Sequence, residues 1–273
     1  MRLCDELLQG AIDLHQHAAP SLFERVTDDV GLAAEARARG MRGVLLKAHE
    51  QDTTGRAALV RRQVSGIEAY GGIVLNHHTG GLNPAAVDNS IKLGARMVWM
   101  PTLSAQHHID HFGGSHFGKA MKGRTETRTP ARGIGVLDAA GVVVPAAREI
   151  MALVREARRA GVTRILVTHP DLTLTGLTVE DQKALAAEGA VLEKDIIVMM
   201  PAWQSLSLEQ MTKSIREIGP QHCVLATDFG QLHHPMPPEG LRMFVQMLLE
   251  RGIGPDEIRT MIVDNPARLL NLV

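Results

Sequence analysis

The stretch Ala11-Ile-Asp-Leu-His-Gln-His17 begins the pattern that decides the fold, because an amphipathic stretch, Asp28–Arg39, and a second apolar run, Gly43–Lys47, follow it. Short apolar runs of this kind are typical of parallel strands that are covered on both faces. Gly40 directly follows the amphipathic stretch, at the place where a left-handed glycine commonly ends a helix. The stretch therefore predicts a strand–helix–strand unit and a parallel sheet.

The same alternation continues to the end of the chain. Further strand-like runs are Gly72–Leu75, Ala95–Met100, Arg164–Thr168, Ala190–Glu193 and Cys223–Thr227. Helix-like stretches between and after them are Thr54–Ala69, Pro84–Leu93, Ala146–Ala160, Val179–Ala187, Leu208–Ile218, Pro238–Glu250, Pro255–Val263 and Pro266–Leu272. This order predicts an α/β fold of the (β/α)8 TIM-barrel type, in a single domain over residues 1–273.

The alternation is weakest between Met100 and Arg164, where we expect the eighth strand. Its best candidate is Gly141–Pro145, although residues 134–144 could instead form a small hairpin. The barrel is therefore expected to be distorted, or to have one weak or missing strand. Residues 103–135 follow neither a strand nor a helix period, and we expect a long loop insertion there, either facing the substrate or solvated.

Composition excludes several classes of protein. The chain has 273 residues, 45% of them hydrophobic and 22% charged, which is ordinary for a globular protein. A net charge of -1 and 3% aromatic residues argue against a nucleic-acid partner. No apolar run is long enough for a membrane helix, the first residues lack a signal-peptide core, and Cys4 and Cys223 are too few for a disulfide scaffold. We therefore expect a cytoplasmic protein with a small-molecule substrate, as a monomer or a homo-oligomer.

The histidines are numerous and unevenly placed. When each of the 13 is assigned to its nearest predicted strand, all except His222 fall at or beyond the carboxyl end. Enzymes with an α/β barrel carry their chemistry at that end. The distribution therefore indicates a functional edge of the predicted barrel.

Alternation along the first strand sharpens this prediction. Asp13, His15 and His17 share one face, so the two imidazoles converge on one point. Neutral imidazole is a common zinc ligand. The pair alone is a weak signal, but His169, Glu193 and Asp228 end later strand-like runs.

A buried carboxylate at a strand end needs a metal or a cationic partner. Two simpler roles remain open: Asp228 could cap the segment that follows it, and Glu193 could form a salt bridge. Lys47 and His49 share the inward face at the end of the second strand. Lys47 could bind a substrate carboxylate, carry a carbamate that bridges metals, or pair with Glu193.

Several of these motifs together resemble the amidohydrolase superfamily of metal-dependent hydrolases. They are Asp13-Leu-His15-Gln-His17, Thr168-His169-Pro170, Ala226-Thr-Asp228-Phe-Gly-Gln231 and Asn265-Pro-Ala-Arg-Leu-Leu270, and the resemblance extends from Ile12 to Leu272. Lys47-Ala-His49, Gly80-Gly-Leu-Asn-Pro84 and Val98-Trp-Met-Pro-Thr102 are similar to one bacterial branch of that superfamily.

The resemblance implies a distorted (β/α)8 barrel that holds one or two divalent metal ions. The first-strand ligand pair then corresponds to His15 and His17, one mid-barrel histidine to His169, and the last-strand aspartate, both ligand and proton acceptor, to Asp228. Glu193 is the candidate for an additional ligand. Zinc is favoured by the histidine-rich set, although iron, manganese or cobalt fit similar sites.

Two positions depart from the superfamily pattern. No histidine follows Val142–Val144, and Met100-Pro-Thr102 stands where a bridging lysine or glutamate is usual. These departures leave open whether a complete two-metal site is present.

The function predicted in this way is metal-dependent hydrolysis of an amide, lactone or ester bond in a small polar substrate. A metal-activated water attacks, Asp228 accepts its proton, and the substrate is oriented by Lys47, His49, His107, His108 and His111. Two alternatives are a metal-dependent decarboxylase or lyase on the same barrel, and a metal-binding homologue without catalytic activity.

Overall fold

The computed structural model describes residues 2–112, 133–134 and 146–273. The predicted strand Gly141–Pro145, its hairpin alternative except residue 134, and most of the predicted loop insertion lie outside the described residues. In chain order the strands are β1 Ile12–Gln16, β2 Gly43–Leu46, β3 Glu68–Tyr70, β4 Gly72–Val74, β5 Met97–Trp99, β6 Leu166–Val167, β7 Val191–Asp195 and β8 Cys223–Ala226. The α-helices are α1 Leu3–Leu7, α2 Asp29–Ala38, α3 Thr54–Gln63, α4 Pro84–Lys92, α5 Gln106–Phe112, α6 Ala146–Arg159, α7 Val179–Ala187, α8 Leu208–Ile218, α9 Pro237–Glu250, α10 Pro255–Arg259 and α11 Asn265–Leu269.

Contacts divide the chain into two compact units. The N-terminal unit comprises Gln9–Gly135 and Asp228–Gly240, and the C-terminal unit comprises Met1–Leu8, Val136–Thr227 and Leu241–Val273. The single domain over residues 1–273 stays a prediction. In the described residues, no helix combines the length and the apolar character needed to cross a membrane.

The strands of the N-terminal unit are parallel throughout. β1 pairs with β2, β2 with β3, and β4 with β5. Only Gly71 separates β3 from β4, so one stretch of chain pairs with β2 through its first half and with β5 through its second. A side chain at Gly71 would collide with the backbone of Thr54, since an added Cβ would lie 2.5 Å from that residue's Cα. β1, β2, the continuous β3–β4 stretch and β5 therefore lie side by side in that order.

The C-terminal unit contains a second parallel sheet, in the order β6-β7-β8. The predicted α/β class and the parallel strands are therefore confirmed. The two sheets of the N-terminal unit and the sheet of the C-terminal unit are separate, so a closed eight-stranded barrel remains a prediction.

β3 corrects one prediction. The helix expected over Thr54–Ala69 ends at Gln63, because Val64 has an extended backbone and Gly66 has a φ of +80°. The chain then enters β3 at Glu68. A left-handed glycine cannot continue an α-helix, so the arginine-rich pattern of α3 stops at this turn.

α5 corrects the prediction that residues 103–135 are irregular throughout. Its first residue, Gln106, donates a side-chain hydrogen bond to Asp110 at 2.7 Å, one turn later. The backbone N–H of Gln106 also donates to the carbonyl of Ile134 at 3.1 Å. Histidine and phenylalanine are only moderate helix formers, so tertiary contacts rather than intrinsic propensity explain this helix.

The two faces of β7 bury different kinds of group. Lys194 is fully buried, and its Nζ lies 2.9 Å from Asp171 Oδ2, 2.6 Å from Gln182 Oε1 and 2.9 Å from Ser214 Oγ. This set satisfies the ammonium group inside the C-terminal unit. Glu193 and Asp195 lie on the opposite face, because side chains alternate along a strand.

Candidate metal centre

β1 and the segment after β8 bring three predicted ligands together in the N-terminal unit. Nε2 of His15 lies 3.1 Å from Oδ1 of Asp228, and Nε2 of His17 lies 2.9 Å from the same oxygen. The backbone N–H of Asp228 donates to the carbonyl of His15 at 2.8 Å, which fixes this approach. We call His15, His17 and Asp228 the His15 cluster.

The tautomer of His17 follows from its other ring nitrogen. Nδ1 lies 2.9 Å from the carbonyl oxygen of Lys47, and because a carbonyl only accepts, Nδ1 carries the proton. Burial, and then the charge of Arg25, lower the pKa of His17 to about 4, so the ring is neutral at neutral pH. Its Nε2 therefore presents a lone pair toward Asp228. A ring fixed by an Nδ1–H to a carbonyl is the usual arrangement of a metal-bound histidine.

Two acceptor atoms at this distance repel each other unless a cation lies between them. A divalent ion satisfies that requirement with the lone pairs of His15 and His17 and a carboxylate oxygen of Asp228. The three side chains therefore have the donor types and the convergence that a divalent metal requires.

Lys47 lies against this cluster. Its Nζ is 2.9 Å from Nε2 of His15 and 5.5 Å from the centroid of the Trp99 ring, and the residue is 1% exposed. The ammonium therefore donates to one of the candidate ligand nitrogens, a contact that the three roles considered for Lys47 did not include. Its role in substrate binding stays a prediction.

His49 follows β2 after Lys47 and Ala48, and its ring is stacked on that of His17 with centroids 5.0 Å apart. Burial lowers the pKa of His49 well below the ordinary value, so this ring is also neutral. Nδ1 lies 2.9 Å from Oγ1 of Thr102. The predicted substrate-binding role of His49 remains a prediction.

Asn76 is a buried residue that sequence reasoning missed. Its side-chain amide donates to the carbonyl of His49 at 2.8 Å and to Thr102 Oγ1 at 3.0 Å, and its oxygen accepts from the N–H groups of Thr102 and Ser104. This one side chain thus connects the residues after β2 with those after β5. The only available signal was a polar residue directly after an apolar run.

The C-terminal unit holds a second group of candidate ligands. Nδ1 of His169 lies 3.0 Å from Oδ2 of Asp195, and His169, Glu193 and Asp195 each offer a ligand atom within 4.8 Å of the others. We call these three residues the His169 cluster. Glu193 and Asp195 are 0% and 1% exposed. Asp195 was missed because the predicted strand ended at Glu193, although alternation from Val191 would have placed it on the same face.

Two candidate ligands have a strained backbone. His169 and Asp228 have φ values of 56° and 51°, the left-handed region that non-glycine residues seldom occupy. Each follows a strand end, in its own unit. Such strain costs about 1–3 kcal/mol and is concentrated at functional sites.

The three histidines of α5 have different environments. His108 is 6% exposed, and its ring lies 4.7 Å from that of Phe112, whereas His111 is exposed. Their predicted contact with substrate stays a prediction.

Comparison with solved structures first shows which proteins share the fold of this chain. A TIM-barrel protein from Bordetella bronchiseptica is 11% identical, with a TM-score of 0.54, 96% of this chain covered and 98% of that chain. A dihydroorotase is 14% identical, with a TM-score of 0.55 and coverages of 97% and 70%. A 2,6-dihydroxybenzoate decarboxylase from Rhizobium is 10% identical, with a TM-score of 0.54 and coverages of 97% and 99%. The predicted resemblance to the amidohydrolase superfamily is confirmed at the level of the fold.

The family of this chain is defined by sequence. Residues 10–155 and 145–193 match the model of the Family of unknown function (DUF6282), and the chain belongs to that family. Among curated proteins, none matches the chain.

Proposed function

We propose that the protein is a metal-dependent hydrolase that acts on an amide, lactone or ester bond of a small polar substrate, on a (β/α)8 barrel. The observation that carries the proposal is the His15 cluster, in which two histidine Nε2 atoms lie within 3.1 Å of one carboxylate oxygen. A buried group of acceptors in this arrangement needs a cation. The shared fold with a dihydroorotase supports the reaction class.

We propose metal ligands in each unit separately: His15, His17 and Asp228 in the N-terminal unit, and the predicted His169 and Glu193, with Asp195 added, in the C-terminal unit. Imidazole nitrogen and carboxylate oxygen suit zinc, and they also suit manganese, cobalt or iron. A divalent ion of this kind supplies a Lewis acid that polarises a carbonyl and activates water.

Side chains in and beside the His15 cluster can transfer the proton, stabilise developing charge and bind the substrate. Asp228 has a carboxylate that can hold the proton of the attacking water and deliver it to the leaving group. The Lys47 side-chain nitrogen, buried 2.9 Å from His15, lies where a protonated amine would stabilise a developing oxyanion. His49 borders the same space as a neutral ring that can hydrogen-bond a polar substrate.

The first test is the metal content of untagged protein, by elemental analysis after incubation with zinc and gel filtration. Wild type is expected to retain stoichiometric zinc, and His15→Ala and Asp228→Asn are expected to lose it. His222→Ala is the matched control, because His222 lies at the amino end of β8. A folded wild type that retains no zinc, manganese, cobalt or iron would contradict the proposal.

Hydrolysis is then tested by incorporation of oxygen from labelled water, in a screen of amides, lactones and esters. A second candidate reaction is metal-dependent decarboxylation, which the shared fold with a 2,6-dihydroxybenzoate decarboxylase supports. Release of carbon dioxide without incorporation of label would favour that candidate over hydrolysis. A zinc-loaded protein that turns over nothing in either screen would favour a metal-binding role alone.

A further inference from the structure

Arg25 lies in the segment between β1 and α2, and its backbone is tied to the residues that follow Asp228. It forms an isolated antiparallel bridge with Gln231, and the N–H of Val26 donates to the carbonyl of Gly230 at 2.8 Å. The Gln231 side chain in turn donates to the carbonyl of Asp228 at 3.0 Å. Arg25 is therefore held beside the His15 cluster, within the N-terminal unit.

The guanidinium of Arg25 is only partly satisfied. Its Nε–H donates to Ser21 Oγ at 3.3 Å, and its Cζ lies 5.4 Å from the centroid of the Phe23 ring. Nη1 is buried and has no hydrogen-bond partner among the described residues. Leaving a buried donor unpaired is unfavourable, and more so for a charged group.

The carboxylate of Glu50 is also only partly satisfied by hydrogen bonds among the described residues. Its Oε1 accepts from the N–H of Leu22 at 2.8 Å, while its Oε2 is buried without a partner in the described part of the chain. Its charge and that of Asp228 both act on Arg25. These two carboxylates make the surroundings of Arg25 unfavourable for a doubly charged group such as phosphate, and a singly charged group such as one carboxylate fits better.

Arg25 remains charged in this environment. Burial lowers the pKa of its guanidinium to about 10, which is still well above neutral pH. Its charge is the second cause, after burial, of the lowered pKa of His17, and it also contributes at His49. The positive charge of Arg25 therefore favours the neutral forms of His17 and His49 in the candidate centre.

We infer that Arg25 binds a carboxylate of the substrate, so that the substrate is a carboxylic acid whose reacting bond lies at the His15 cluster. This rests on the proposed function and names the substrate class of the same site. A planar guanidinium matches the two oxygens of a carboxylate, which would satisfy the unpaired Nη1.

The experiment measures binding of small dicarboxylates to zinc-loaded protein by calorimetry. Malonate and succinate are compared with malonamate and succinamate, in which one carboxylate is replaced by a neutral amide. Wild type is expected to bind at least one dicarboxylate more tightly than its monoamide. Arg25→Gln is expected to weaken that binding by roughly 10- to 100-fold and to remove the preference. Arg62→Gln, an exposed arginine on α3, is the matched control.

Two results would overturn the inference: an unchanged preference in Arg25→Gln, or no preference in wild type. A purely structural pairing of Arg25 with Glu50 predicts the first result, with equal losses of melting temperature in Arg25→Gln and Glu50→Gln. Zinc is measured in the same samples. A wild type without zinc contradicts the proposed function, whereas equal zinc and equal dissociation constants contradict only the role of Arg25.

Discussion

Nε2 of His17 faces Oδ1 of Asp228 at 2.9 Å, while Nδ1 of the same ring is committed to the carbonyl of Lys47. The backbone carbonyl of Lys47 thereby leaves Nε2 as the ring nitrogen of His17 that can bind another group. A histidine that donates through Nδ1 keeps the lone pair of Nε2 for a metal ion. The orientation of this candidate ligand is set by the folding of β1 beside β2, before any ion binds.

Acid is expected to destabilise the metal-free protein through His17. Its pKa falls from 6.5 to about 4 on folding, so between these values the unfolded chain binds a proton that the folded chain does not. The free energy of unfolding therefore falls as the pH drops through this window, by roughly 3 kcal/mol in total. Urea unfolding at pH 7 and pH 4.5 in a chelator measures it. His17→Gln should show a shallower dependence, and an equal slope in both proteins would contradict the assignment.

Lys47→Met is expected to increase zinc affinity. The ammonium occupies the lone pair of His15 Nε2 and repels a dication, and methionine removes both effects while keeping the length of the side chain. Competition with a chromophoric chelator gives the affinity. Weaker zinc binding in Lys47→Met would instead favour a modified Lys47 that acts as a ligand, such as a carbamate.

Asn76→Ala is expected to lower the free energy of unfolding by about 2–3 kcal/mol, because it leaves several buried partners unsatisfied. Asn89→Ala, an exposed position on α4, should change it little. Chemical denaturation measures both. Similar stabilities for the two variants would show that Asn76 does not hold His49 and Thr102 together.

At position 169, glycine is expected to be better tolerated than alanine. Both variants remove the imidazole, but only glycine occupies a φ of 56° without a penalty, so His169→Gly should be more stable than His169→Ala by about 1 kcal/mol. The difference in urea midpoint measures it. Equal stability would mean that the left-handed backbone at residue 169 is not retained in solution.

Lys194→Met is expected to lower the free energy of unfolding by about 3–5 kcal/mol, because it leaves Asp171 buried without its ammonium partner. Combining it with Asp171→Asn should recover part of that loss. Lys213→Met, an exposed position on α8, serves as the control. Full additivity of the two substitutions would argue against a direct interaction.

Short-range sequence patterns predicted most of the helices and strands. Asn83 accepts from the N–H groups of Ala85 and Ala86 and precedes Pro84, so α4 begins where this pair indicated. The two histidines of the first strand also converge, as alternation predicted, and the structure places them against Asp228. These features depend on spacing along one or two segments, which the sequence displays directly.

What sequence reasoning missed depends on tertiary contacts. Arg25 lies in an irregular segment, and its position follows from pairing with Gln231, about two hundred residues later. Asn76 matters because it joins residues after two different strands. β3 was missed because the helix-forming residues of α3 run on toward it until Gly66.

The alternation of β7 gives the strand a fixed register. A slip of one residue would turn Glu193 or Asp195 toward Asp171 and would carry Lys194 to the other face, so that a carboxylate instead of the ammonium would face Asp171. The Lys194 network therefore disfavours the mispaired strand and keeps Glu193 and Asp195 together on the face where the proposed ligands lie.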